Sequence, residues 1–252
     1  MRRAKTGTMR LEPLPAWPRS GLRAGRYERD RVEIKGVKWT YDRQELIADG
    51  IVHGIGVVLA LIGVTALIVY ATVFSTNGQL AAAWIYGIGL VLVLGISFAY
   101  NLWPVSMVKW HLRRFDHAAI FVLIAATYTP FLQRGWHDPL LAGMLIGIWI
   151  MAAAGVTLKF AFPGRYDRLA ILLYLAMGWS GVFAAGPLLT TLSATTVTLI
   201  VIGGVLYSLG VIFHVWQKLR FQNAIWHGFV VAAAAVHYSA VVACIAGSPD
   251  GM

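Results

Sequence analysis

The chain has 252 residues, 58% of them apolar and only 13% charged, against roughly 45–50% and 25% in an ordinary soluble domain; the excess excludes a soluble fold and points to a bilayer. Twenty-one Lys and Arg against eleven Asp and Glu give a net charge of +10, but the charges lie outside the long apolar runs. The basicity therefore reads as topology control and attraction to anionic headgroups, nucleic acid is excluded as a partner, and a lone cysteine, Cys244, excludes both an intramolecular disulfide and a thiolate metal cluster.

Residues 1–44 form a polar, basic segment rich in Arg and Pro. It lacks the apolar core of a secretory signal, so the N-terminus is expected to be retained. From Met1 to about Arg31 no helical apolar period appears, and this stretch is expected to be disordered or adsorbed to the membrane surface. Seven apolar runs follow, at 51–73, 80–104, 117–133, 139–158, 169–189, 193–216 and 224–246. Most approach the roughly 20 residues that cross a ~30 Å hydrocarbon layer, so residues 45–248 are expected to form an all-α bundle of seven transmembrane helices. The third run is short and carries Pro130 near its end. Tandem Gly203-Gly204 and the Gly143-x3-Gly147 spacing fit close helix packing.

Twenty of the twenty-one Lys and Arg fall in the N-terminal segment or in the 2–3, 4–5 and 6–7 connections, and only Arg134 lies on the other side. The positive-inside rule then predicts a cytoplasmic N-terminus and an external C-terminus. Trp39, Tyr41, Trp103 and Trp110 lie near the cytoplasmic boundaries, where amphipathic rings favour the headgroup layer.

Polar groups within a bilayer are costly and each needs an explanation. Glu45, Asp49 and His53 recur at i, i+4, i+8, on one face at the start of the first helix. Ser97 and Asn101 are i, i+4 near the end of the second, Asp116 and His117 open the third, and Asn223 and His227 are i, i+4 at the start of the seventh. Alternating helix direction puts all of them at one depth, in the cytoplasmic half, which permits a common site without proving one. Each also has a purely structural reading. Asp116 can cap the third helix, Ser97 can bond a carbonyl four residues back, Asn101 and Asn223 can join helices, and His53 and His227 can be packing residues. Glu45 and Asp49 are expected at headgroup level, His237 in packing, and His111, His137 and His214 at the interface.

These residues carry a resemblance. The runs ELIADGIVHGIG (45–56), SFAYNLWP (97–104), LRRFDHAAIFVLIAATYTPF (112–131) and NAIWHGFVVAAAAVHY (223–238) resemble the hemolysin III branch of the progestin and adiponectin receptor family, over roughly residues 40–246. The resemblance implies a seven-helix bundle with its N-terminus inside and a zinc site on the cytoplasmic side, related to that of alkaline ceramidases. The family pattern is Ser-x3-His on the second helix, Asp at the start of the third and His-x3-His on the seventh. Ser97, Asp116 and His227 match it, while Asn101 and Asn223 stand at the other two histidine positions. Hydrolytic zinc sites use about three protein ligands and an activated water. A carboxamide substitutes poorly, so zinc is expected to be weakly held or lost.

Three functions follow as expectations. The first is a bundle that senses or adjusts the bilayer in membrane lipid homeostasis, sited in a bacterial inner membrane, with membrane lipids as partners. The second is a metal-dependent lipid amide hydrolase, with Asp116 carrying a proton and Ser97 holding an oxyanion. The third is a cytolytic pore or transporter, against which stands the lack of a polar stripe along any whole helix. A retinal protein is excluded because no Lys falls mid-membrane to form a Schiff base.

Overall fold

A computed structural model of the chain describes residues 30–34 and 37–247; the expectation of disorder or surface adsorption from Met1 to about Arg31 lies outside them apart from Asp30 and Arg31, which fall in a strand. A short antiparallel hairpin, β1 (Asp30–Ile34) and β2 (Val37–Tyr41), pairs Asp30 with Tyr41 and Ile34 with Val37. This hairpin was not foreseen. The aromatic side chains of Trp39 and Tyr41 are outside what is described.

The helices follow: α1 (Arg43–Phe74), α2 (Asn77–Leu102), α3 (Met107–Arg134), α4 (Pro139–Ala161), α5 (Asp167–Trp179), α6 (Ala185–Thr191), α7 (Ala194–Val215) and α8 (Gln222–Ala246). A 3-10 turn at Ser180–Ala184 joins α5 to α6. Together those three pieces make the fifth of the seven segments, among the described residues, that are long and apolar enough to cross a membrane. All seven runs are thus helical, but two begin earlier than hydropathy suggests. The first helix starts at Arg43 rather than 51 and the third at Met107 rather than 117. The reason is capping: Asp42 accepts a hydrogen bond from the Gln44 amide at 2.9 Å and Ser106 from the Lys109 amide at 3.4 Å. Hydropathy marks the hydrocarbon layer, whereas a helix runs until its end groups are satisfied.

Other ends show the same logic. Thr76 and Gln79 form a reciprocal capping box at the start of α2, and Asp138 accepts from the Leu140 and Leu141 amides ahead of Pro139 at the start of α4. Helix α3 continues past Pro130 to Arg134. There the guanidinium donates to the Cys244 and Gly247 carbonyls at 2.8 and 2.9 Å, tying the end of α3 to the end of α8.

The main core lies where α1, α2, α3 and α8 meet, around Leu67, Tyr86, Leu90, Leu94, Val241 and Ile245. A second cluster, with Phe121, Ile148, Ala152 and Met177, joins α3, α4 and α5. Close packing does use glycine, though not at every predicted place. A Cβ at Gly203 would run into the His237 ring, which packs there and reaches the Ile200 carbonyl at 3.1 Å. Gly143 and Gly147, by contrast, face open space, so that spacing is not a helix contact. Large apolar residues such as Ile62, Val73, Ile150 and Leu172 are more than half exposed, as the lipid-facing surface of a bundle requires.

Candidate functional site

One end of the bundle, its basic end, carries Lys109, Arg113, Arg114, Lys159, Arg165, Arg168, Lys218 and Arg220. Just inside it, four helices bring polar side chains together. Asp49 and His53 lie one turn apart on α1 and are each only 3% exposed, so Asp49 is enclosed by protein rather than solvated. The Asp49 carboxylate can only accept, so His227 on α8 donates to it from Nδ1 at 2.6 Å. The two imidazoles stand edge to face, 4.1 Å between centroids. His53 Nδ1 donates to the Asp49 carbonyl at 2.8 Å. Its Nε2 therefore carries the lone pair and accepts from Ser97 Oγ at 3.2 Å and Asn101 Nδ2 at 3.4 Å, both on α2.

Asn101 is buried and also donates to the Ser97 carbonyl at 2.9 Å. From α3, Asp116 is buried, interacts with Ser97, and lies 3.3 Å from His117 Nδ1. It sits nearly three turns inside its helix, whose cap is Ser106; the capping reading of Asp116 fails because the helix starts ten residues early. Asn223 takes no part in these hydrogen bonds: it is exposed and reaches only the cavity wall. Glu45 lies at the mouth, where its carboxylate accepts from the Phe221 amide at 3.0 Å. Phe221 has φ 57, in the left-handed region, immediately before α8. Glu45 thus anchors the connection that delivers His227.

Two further groups, Lys109 and Asp167, escaped the sequence reading. Lys109 is 1% exposed and donates from Nζ to the Asn101 and Trp103 carbonyls at 2.9 and 3.0 Å, closing the end of α2 beneath the cluster. Lysine in a basic loop reads as a solvated charge; only the early start of α3 turns it inward. Trp110 is likewise buried by protein, with the Arg114 guanidinium 3.8 Å above its ring. Asp167, at the start of α5, joins Arg113 at 2.6 Å and Lys159 at 2.8 Å, which pins the fifth span at this end.

The cluster forms one end of a cavity of about 1500 Å³ inside the bundle. Toward the opposite end the wall is built from Leu123, Phe131, Leu188, Leu192, Val197 and Ile200. The cavity is therefore amphipathic along its length: carboxylate, imidazole, hydroxyl and amide at the basic end, and beyond them a mainly apolar wall interrupted by Thr127, Tyr128 and His237. His214, expected at the interface, lines it too, with its ring 5.0 Å from Trp226.

Of the zinc set implied by the resemblance, two positions hold amides, and one of these, Asn223, stands apart from the bonded cluster. The fold instead gathers Asp49, His53 and His227, one donor atom of each lying within 4.8 Å of the others. The i, i+4 spacing of Asp49 and His53 was visible in the sequence; that they face His227 required the packing of α1 against α8.

Comparison with known proteins agrees with this architecture. A family model described as "Haemolysin-III related" matches residues 43–238. The chain is 36% identical over 199 residues to the "Hemolysin-3 homolog" of Bacillus subtilis (strain 168), covering 79% of this chain and 93% of that one. It is 36% identical over 208 residues to "Hemolysin-3" of Bacillus cereus, covering 82% and 95%. The "Monocyte to macrophage differentiation factor" of Homo sapiens is 36% identical over 176 residues, covering 66% and 71%.

Proposed function

Because this chain belongs to the haemolysin-III-related family of multi-pass integral membrane proteins, we propose that it binds a membrane amphiphile inside its bundle and acts in membrane lipid homeostasis or sensing. The headgroup lies against Asp49, His53, Ser97, Asn101, Asp116 and His227, and the chain runs along Leu123, Leu188 and Leu192. The amphipathic cavity is the observation that carries this reading.

Its energetics are those of a site already surrounded by lipid. An acyl chain moving from bilayer to cavity exchanges one hydrocarbon environment for another, so apolar burial supplies almost no preference. Selection falls to the polar end, where each hydrogen bond to an ionised partner contributes about 1.5–3 kcal/mol. The N-terminus lies in the cytoplasm of a bacterial cell, in the inner membrane, and the basic connections meet anionic headgroups there.

Purification in mild detergent followed by lipid extraction and mass spectrometry tests the reading. The parent retains about one equivalent of one amphiphile class, enriched over the bulk membrane, and Asp116→Ala loses it. An extract with bulk composition overturns the proposal.

A second reading is favoured by one feature of the same cluster. With His227 Nδ1 donating to Asp49, its Nε2 carries a lone pair, the arrangement of a carboxylate-oriented general base. A lipid amide hydrolase would use Asp116 to carry the proton to the leaving amine and Ser97 to hold the oxyanion. Turnover of a lipid amide that falls at least about tenfold in Asp116→Ala supports it; equal turnover in parent and variant rejects it.

A further inference from the structure

The cluster has a property that lipid binding does not require. Three groups of metal-ligating chemistry, two imidazoles and one carboxylate, converge in a buried position. His227 Nδ1 and His53 Nδ1 both approach the same atom, Asp49 Oδ1, at 2.6 and 3.4 Å. Ligand atoms bound tetrahedrally at about 2.0–2.1 Å from zinc stand about 3.3 Å apart. The His53 contact is already at that separation, and the His227 hydrogen bond has to open by only about 0.7 Å to reach it.

We infer that Asp49, His53 and His227 hold a single divalent transition-metal ion, Zn²⁺ in the first instance, with an open position toward the cavity. This set takes two of its three ligands from α1 and shares only His227 with the one implied by the family pattern. It therefore survives the amides at Asn101 and Asn223.

The surroundings suit the ion as well as the ligands do. Two neutral imidazoles and one carboxylate are the donor combination of several zinc enzymes, and a fourth, open position is what separates a reactive site from a closed structural one. A metal-ligating histidine normally passes its other N–H to an oxygen acceptor, which fixes the ring. Ser97 Oγ, 3.2 Å from His53 Nε2, is that acceptor. Without metal, His53 carries its proton on Nδ1, toward the Asp49 carbonyl. Binding at Nδ1 moves that proton to Nε2, and Ser97 changes from donor to acceptor. The His227 proton passes from Nδ1 to Nε2 in the same way, so Asp49 gives up its bond from His227 and neutralises part of the ion's charge. Lys109 closes the end of α2 and so keeps Asn101 and Ser97 at the level of the tripod.

The test uses the full chain, purified in detergent, stripped of metal and delipidated, so that failure of metal binding and failure of lipid binding are read separately. Zn²⁺ is titrated against a chromophoric chelator, and Co²⁺ is used for its absorption spectrum. The parent binds one equivalent, and Co²⁺ gives the intense visible bands of a tetrahedral nitrogen and oxygen site. Asp49→Asn and His53→Gln each weaken binding by more than about a hundredfold, beyond the tenfold to hundredfold typical of losing an outer partner, and Ser97→Ala weakens it about tenfold. Asn223→Ala binds as the parent does. Helix content by circular dichroism confirms folding, and because Asp49→Asn keeps the shape of the side chain it decides the matter if His53→Gln does not fold. Substoichiometric Zn²⁺ in the parent, or parent-like affinity in Asp49→Asn, overturns the inference. So does loss of binding in Asn223→Ala with Asp49→Asn unaffected, because the family positions would then be the ligands.

Discussion

Asp49 does more than any other side chain at the site. Its carboxylate accepts from His227, its carbonyl accepts from His53, and both imidazoles owe their orientation to it. Replacing one partner of such a buried group leaves the other unsatisfied, which is the expensive case. Lys109 shows the same principle from the donor side. Lys109→Met keeps the length of the side chain but strands the carbonyls of Asn101 and Trp103. It is expected to lower stability by about 2 kcal/mol or more, measured as a fall in the thermal unfolding midpoint in detergent. A midpoint equal to the parent's would mean that water satisfies those carbonyls instead. At this scale the sequence was informative about identity and poor about direction. The spacing of Asp49, His53, Ser97, Asn101 and His227 placed them at one depth, and the structure unites them. The cap reading of Asp116 and the loop reading of Lys109 fail together, because both depend on where α3 begins, and a charged first turn conceals a helix start from hydropathy.

Helix α3 is the element on which the others are assembled, and glycine decides how closely α4 approaches it. A Cβ at Gly155 would come 2.5 Å from the Phe121 ring, while one at Gly147 would meet nothing within 4 Å. Gly155→Ala is therefore expected to destabilise by about 1–3 kcal/mol through overpacking. Gly147→Ala on the same helix is expected to be neutral or to stabilise by up to about 1 kcal/mol through helix propensity. Thermal unfolding of the pair checks both, and the ranking matters more than either value. The broken fifth span follows the same kind of local rule. Tyr128 accepts from the Gly181 amide at 2.9 Å and donates to the Gly178 carbonyl at 2.7 Å. It thereby satisfies backbone groups that the 3-10 turn leaves without helical partners, as a nonpolar surrounding demands. Tyr128→Phe is expected to raise hydrogen exchange at residues 178–184 by about tenfold or more, for a bond worth about 1.4 kcal/mol, while α1 and α2 exchange as before. Neither the break nor its staple was legible in residues 169–189. Hydropathy reports whether a segment is greasy, and Ser180 and Gly181 are too small a perturbation to interrupt it.

Over the whole molecule, seven spans, their order and their approximate limits were readable, because the bilayer imposes a length and an apolarity that few residues can evade. The hairpin at Asp30–Tyr41 was not, since a short polar pair of strands carries no comparable constraint. Nor was the cavity: a void is a property of how helices fail to fill space, and no single helix encodes it. Orientation rests on the distribution of twenty Lys and Arg against one. An alkaline phosphatase fused after Gly247 is therefore expected to be active in a bacterial host and a fluorescent protein at the same place dark, with the opposite pattern for fusions in the 160–168 connection. Reversed signals would place the cluster in the outer half of the membrane and remove anionic inner-leaflet lipid as its neighbour.

The bond from Arg134 to the last helix bears on the order of assembly. Its acceptors lie 110 and 113 residues further along the chain, so these two bonds cannot form while the ribosome is still making α4 to α7. Emergence of α8 supplies both the clasp at one rim and His227 at the other. Completion of the polar centre and locking of the opposite rim are thus a single late event, and a nascent chain arrested before α8 carries an unfinished centre together with an open rim.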